Sequence, residues 1–65
     1  MTLHVEAELS LAANDWPHYR YVIRGDHGTL ERSEHAWVHE VRALEEGRIV
    51  AVVDYEADPE TLVIW

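Results

Sequence analysis

From Thr2 to Leu11 the chain alternates without a break. Leu3, Val5, Ala7, Leu9 and Leu11 fall on one side; Thr2, His4, Glu6, Glu8 and Ser10 fall on the other. A period of two over this length describes a strand with one face in the core. A sheet with one apolar face needs a second layer to cover it. Sixty-five residues leave room for one domain, so residues 1–65 are expected to form a single acidic unit. No cysteine is present, so neither a disulfide nor a thiolate–metal bond can supplement a small core. Phe is absent too, and Trp16, Trp37, Trp65, Tyr19, Tyr21 and Tyr55 must supply the aromatic bulk.

The remaining elements follow from pattern and punctuation. Asn14-Asp15 is turn chemistry, and Pro17 holds Trp16 extended. His18 to Arg24 reads as a second strand, with Tyr19, Tyr21 and Ile23 on one face and Arg20, Val22 and Arg24 on the other. Antiparallel pairing with the first strand sets Arg20 and Arg24 near Glu6 and Glu8. Gly25-Asp26-His27-Gly28 ends that strand. Residues 29–46 read as a helix on a wheel that gathers Leu30, Trp37, Val41 and Leu44, with Thr29 or Ser33 as N-cap and Gly47 as C-cap. A β-hairpin across Glu45-Glu46-Gly47-Arg48 is the competing reading of residues 36–48. Arg48 to Tyr55 reads as a third strand, Glu56 to Glu60 as a turn, and Thr61 to Trp65 as a last strand returning as a hairpin. The fold class expected is α+β: a small antiparallel sheet of three to four strands with one helix packed on it, in ββαββ order.

Charge narrows the partners. Thirteen carboxylates face five arginines, with no lysine, for a formal net charge of −8. Nucleic acids and anionic membranes select basic surfaces, so the expected partner is a basic, nucleic-acid-binding protein or complex rather than nucleic acid or membrane itself. The self-repulsion of so acidic a chain favours a monomer. The first residues read as no signal peptide and no apolar run is long enough to span a membrane, so a cytoplasmic location is the default expectation.

Chemistry is sparse. There is no Cys nucleophile, no Lys, no G-x-G-x-x-G, no P-loop and no G-x-S-x-G, so no catalytic residue and no cofactor are assigned, and an enzyme is not expected. His35 and His39, four apart on the expected helix with Glu31 one turn earlier, are the best metal candidate. As two histidines on a polar face they also read as solvated side chains, and no metal site is assigned.

The candidate partner-binding residues are acidic. Asp54, Glu56, Asp58 and Glu60 occupy alternate positions. In an extended chain they would lie on one side about 6.6–6.8 Å apart, of the order of the spacing between phosphates on one strand. Glu45 and Glu46 at the expected helix end extend this patch, and Glu6 and Glu8 form a second one.

With this length, this charge and the alternating Asp54, Glu56, Asp58 and Glu60, the chain resembles small acidic phage-encoded inhibitors of host defence, of the anti-CRISPR and anti-restriction type. The resemblance implies a protein-binding inhibitor that blocks a basic nucleic-acid-binding surface in the host cytoplasm by DNA-mimic-like charge, as an anti-CRISPR does on a CRISPR effector. The alternative is a small adaptor, antitoxin or regulatory subunit that binds through apolar and aromatic contacts.

Overall fold

The computed structural model describes residues 2–11 and 16–64; the turn expected at Asn14-Asp15 and the end of the last strand at Trp65 lie outside them. Strands β1 (His4–Leu11), β2 (Pro17–Gly25) and β3 (Gly28–Arg32) precede helix α1 (Glu40–Asp54), and β4 (Val63–Ile64) follows it. They form one sheet in the order β3-β2-β1-β4. The α+β class and the single helix against a four-stranded sheet agree with the sequence reading. Among the described residues no helix is long and apolar enough to cross a membrane.

The first two strands lie where the alternation places them. β1 and β2 pair antiparallel from His4 opposite Arg24 to Leu11 opposite Pro17. Gly25-Asp26-His27-Gly28 ends β2 as expected. It is a tight turn that returns the chain as β3, with Gly28 at a φ of 117°. That backbone conformation strains any residue with a Cβ and is open to glycine. Thr29 is therefore a strand residue rather than a helix cap. Ser33 does not cap a helix either: its N–H donates to the Tyr21 carbonyl at 3.1 Å, and its Oγ accepts from the Tyr21 N–H at 3.1 Å. The chain then bows away and rejoins β2 at Trp37, which exchanges two backbone hydrogen bonds with Tyr19. The helix expected over 29–46 is absent from its first half because these residues complete the open edge of β2 instead.

The helix begins at Glu40 and runs through the segment read as the third strand. Ile49-Val50-Ala51-Val52-Val53 favours a strand by local preference. Tertiary packing overrides it. Ala43, Gly47 and Ala51 recur every four residues and make a flat stripe that lies on the sheet. A Cβ built on Gly47 would stand 2.5 Å from Val5 Cγ1 and 2.7 Å from Tyr21 Cβ. Gly47 is thus the point of closest approach between the layers and not a C-cap. Leu3, Val5, Tyr21, Ile23 and Ala51 form the buried core, with Trp37, Leu44, Val50, Tyr55, Ala57 and Leu62 packed around it. Trp37 reaches this core from an extended segment, not from the helix.

The helix ends in the reverse of the expected cap. Asp54 is the last residue, Tyr55 is the C-cap, and Glu56 takes a φ of 55°. That left-handed step brings the Ala57 N–H to the Ala51 carbonyl at 3.0 Å. Asp58 then organises a turn, accepting from Glu60 N–H at its Oδ1 and from Thr61 and Leu62 N–H at its carbonyl. The turn delivers β4 to the far side of β1, in parallel and not as a returning hairpin, so the sheet is mixed and the order is βββαβ.

The close approach at Gly47 makes a sign prediction. In an exposed helix interior, Gly→Ala stabilises by about 1 kcal/mol. At Gly47 the methyl collides with a fixed Cβ, and Gly47→Ala is expected to destabilise by about 1–3 kcal/mol in urea unfolding.

Candidate partner-binding surface

Alternation assigns the two faces of the sheet. Val5, Tyr21 and Ile23 meet the helix, so Glu6, Glu8, Arg20, Val22 and Arg24 project from the opposite, uncovered face. Arg32 joins them, directly across from Val22. Arg24 Nε donates to Glu6 Oε1 at 2.7 Å, as the pairing expected. Arg20 stands opposite Glu8, but it is Arg32 Nε, from β3, that takes the Glu8 carboxylate at 3.1 Å. Val22 lies between these pairs and is fully buried although no helix covers it. Long, ion-paired side chains can roof an apolar residue in this way. Glu6 and Glu8 are therefore neutralised on a face that carries three arginines, and they do not form a second acidic patch.

The acid is concentrated elsewhere. Residues 33–64 hold eight carboxylates and two arginines. Glu46 is half-buried on the helix and accepts from Arg42 Nε at 3.4 Å, while Glu45 beside it is exposed. Asp54, Glu56, Asp58 and Glu60 are all exposed and, among the described residues, none has an ion-pair partner. Their alternation in sequence is not an alternation in space. Asp54 closes the helix, Glu56 is left-handed and Asp58 opens a turn, so the regular extended spacing does not occur. What unites them is position. Asp54 closes the C-terminal end of α1 and the other three fall in the connection that follows it, next to the negative pole of a helix with no basic residue in its last turn. Like charge at that pole is destabilising, and here it is left uncompensated.

A residue that the charge pattern did not single out anchors this end. Glu31, on β3, faces inward beside Ile23. Its Oε2 accepts from the Tyr21 hydroxyl and its Oε1 from the Tyr55 hydroxyl, each at 2.9 Å. One carboxylate thus ties the central strand, the edge strand and the last turn of the helix. Burial, then the hydrogen bond and charge of Glu31, push the Tyr21 hydroxyl up to about 12. The hydrogen bond to Glu31 also raises Tyr55. Nothing in the run Gly28–Arg32 marks Glu31 out: Leu30 is its one apolar residue, and the pairing with β2 shifts register between Ile23 and Arg24.

The histidines do not assemble. His35 lies in the loop before Trp37, its ring edge-on to the indole at 4.7 Å, and His39 is the residue preceding α1. The helical spacing expected of them does not exist, and Glu31 is committed to two tyrosines. Among the described residues no group of three His, Asp or Glu side chains is placed to hold a metal ion.

A second exposed surface is apolar. α1 covers the Val5–Tyr21 half of the β1–β2 hairpin, and beyond it Leu9, Leu11 and Trp16 stand 57%, 71% and 64% exposed. No protein-family model, curated protein or solved structure matches the chain.

Two measurements follow from this geometry. A tyrosine held above its ordinary value stabilises the fold below about pH 10 and loses that contribution as pH rises toward about 12. The unfolding free energy is expected to fall across that window, and Tyr21→Phe to flatten the fall. At the helix end, Glu56→Gly removes left-handed strain of about 1 kcal/mol. It should raise stability more than Glu56→Gln, which removes only the charge; equal gains would assign the effect to charge alone.

Proposed function

We propose that the protein is a protein-binding inhibitor that blocks a basic nucleic-acid-binding surface of a partner complex in the cytoplasm, as an anti-CRISPR does on a CRISPR effector. One observation carries this reading: the eight carboxylates of residues 33–64 against two arginines, with Asp54, Glu56, Asp58 and Glu60 exposed at the negative end of the helix and in the connection after it. The mimicry is of charge density and not of phosphate spacing. Salt screens the attraction between these exposed carboxylates and a basic groove, so binding weakens as salt rises. Glu31 holds the helix end to the sheet through Tyr55, so the charge is presented on a fixed base.

The test is competition between the protein and duplex DNA for a purified CRISPR effector complex over a salt series. Wild type should displace DNA at low salt and lose that ability as salt increases. Joint reversal by Asp54→Lys, Glu56→Lys and Glu60→Lys spares Asp58, which organises the turn, and should weaken inhibition by about 100-fold or more. Glu6→Gln with Glu8→Gln, on the neutralised face, should change it little. A folded triple variant that inhibits like wild type would remove the charge from the mechanism. The exposed Leu9, Leu11 and Trp16 favour the second reading, an adaptor or antitoxin held by apolar contacts. Its complex would survive high salt.

A further inference from the structure

Strand β1 has two edges, and among the described residues only one is filled along its whole length. β2 pairs with it along its whole length, whereas β4 pairs with it only at His4 and Val5. The phase of the free edge is fixed at two places. Val63 N–H donates to the Leu3 carbonyl, so the odd-numbered residues of this strand turn their backbone groups toward the β4 side. Tyr19 and Tyr21 turn theirs away from β1, toward Trp37 and Ser33, which leaves the even-numbered residues of β1 to bond with β2. Beyond β4, then, the N–H and C=O groups of Ala7, Leu9 and Leu11 point off the sheet, with no backbone partner among the described residues.

Proteins defend such an edge with lysine, proline, a bulge or an inward charge. None is present among the described residues of this edge. The chain has no lysine, the outward-bonding positions are Ala7, Leu9 and Leu11, and the two leucines are largely exposed. The even-numbered carboxylates that might defend it, Glu6 and Glu8, are already neutralised by Arg24 and Arg32. Residues 6–11 therefore hold no carboxylate that is not ion-paired.

We propose that a second copy of the chain covers this edge, the two β1 strands pairing antiparallel about a two-fold axis at Leu9. The sequence is self-complementary in that register. On the helix side Leu9 meets Leu9 of the second copy, and Ala7 meets Leu11; on the open face Glu8 meets Ser10, so no like charges stand opposite each other. Because the backbone groups of Leu9 point outward, the axis creates a reciprocal hydrogen-bonded pair at its centre. An axis at Glu8 instead sets two carboxylates face to face. The ladder over residues 7–11 lies beside the part of the edge that the described β4 leaves open. Pairing of this kind would run against the monomer that the overall acidity favours, and the acidity sets its salt dependence. Two copies that each carry −8 repel one another, so the dimer strengthens as salt rises. That is the opposite of the acidic partner complex.

The experiment is sedimentation velocity of the whole chain over a concentration series at low and high salt. Wild type should show a reversible dimer that is tighter at high salt. Leu9→Lys and Leu9→Glu should each weaken it by about tenfold or more, since each sets like charges across the axis. Mixing the two variants should restore a heterodimer, which a merely unfolded variant could not do. Val41→Lys, on the exposed outer side of the helix, should leave the dimer intact. A wild type that sediments as a single copy at every concentration overturns the proposal, as does a dimer lost in Val41→Lys or one that the mixed variants fail to restore.

Discussion

Everything in this domain rests on how closely one helix lies on two strands. Ala43, Gly47 and Ala51 present almost no side chain, and the helix backbone comes down until Gly47 touches Val5 and Tyr21. That approach makes a core possible in so short a chain. Leu3, Val5, Ile23 and Ala51 are shut from water without a single Phe or disulfide to help. It also explains why the β-branched run Ile49–Val53 is helical. The strand alternative would lose the flat stripe and leave Val5 and Tyr21 uncovered.

Tyr21 is the second point on which the structure turns. Its backbone is completed by Ser33, its ring stacks on Trp37 at 6.0 Å, and its hydroxyl donates to Glu31. Glu31 in turn accepts from Tyr55 at the end of the helix. A partly buried carboxylate with two hydroxyl donors is satisfied without a cation. Sheet and helix terminus are therefore joined by polar contacts as well as by packing, and the acidic connection that follows Tyr55 leaves from a fixed point.

Charge is sorted over this frame. The open sheet face interleaves Arg20, Arg24 and Arg32 with Glu6 and Glu8, whereas the helix and the connection after it are acidic. Exposed ion pairs of the first kind contribute about 0.2–1 kcal/mol each, so their main effect is local neutrality. The second region carries most of the chain's net charge of −8, and at the helix end the backbone dipole adds to it. Asp58 organises the turn before β4, whereas the side chains of Asp54, Glu56 and Glu60 are exposed with no ion-pair partner among the described residues.

The sequence by itself determined the first two strands, the face that Arg20 and Arg24 share with Glu6 and Glu8, the aromatic face of β2 and the α+β class, because alternation acts within a few positions. It also located the acidic third of the chain. Only the tertiary structure decided where the helix lies. Residues 29–33 became an edge strand because β2 needed partners for its backbone, and Gly47 became a helix interior because Val5 and Tyr21 lie beneath it. Neither demand is visible within the segments that meet it. The same displacement took Glu31 from a polar helix face to the tyrosine pair, separated His35 from His39, and divided the alternating Asp54, Glu56, Asp58 and Glu60 between a helix end and the connection after it. Local pattern specifies which way a side chain points along its own element; long-range packing specifies which element that is.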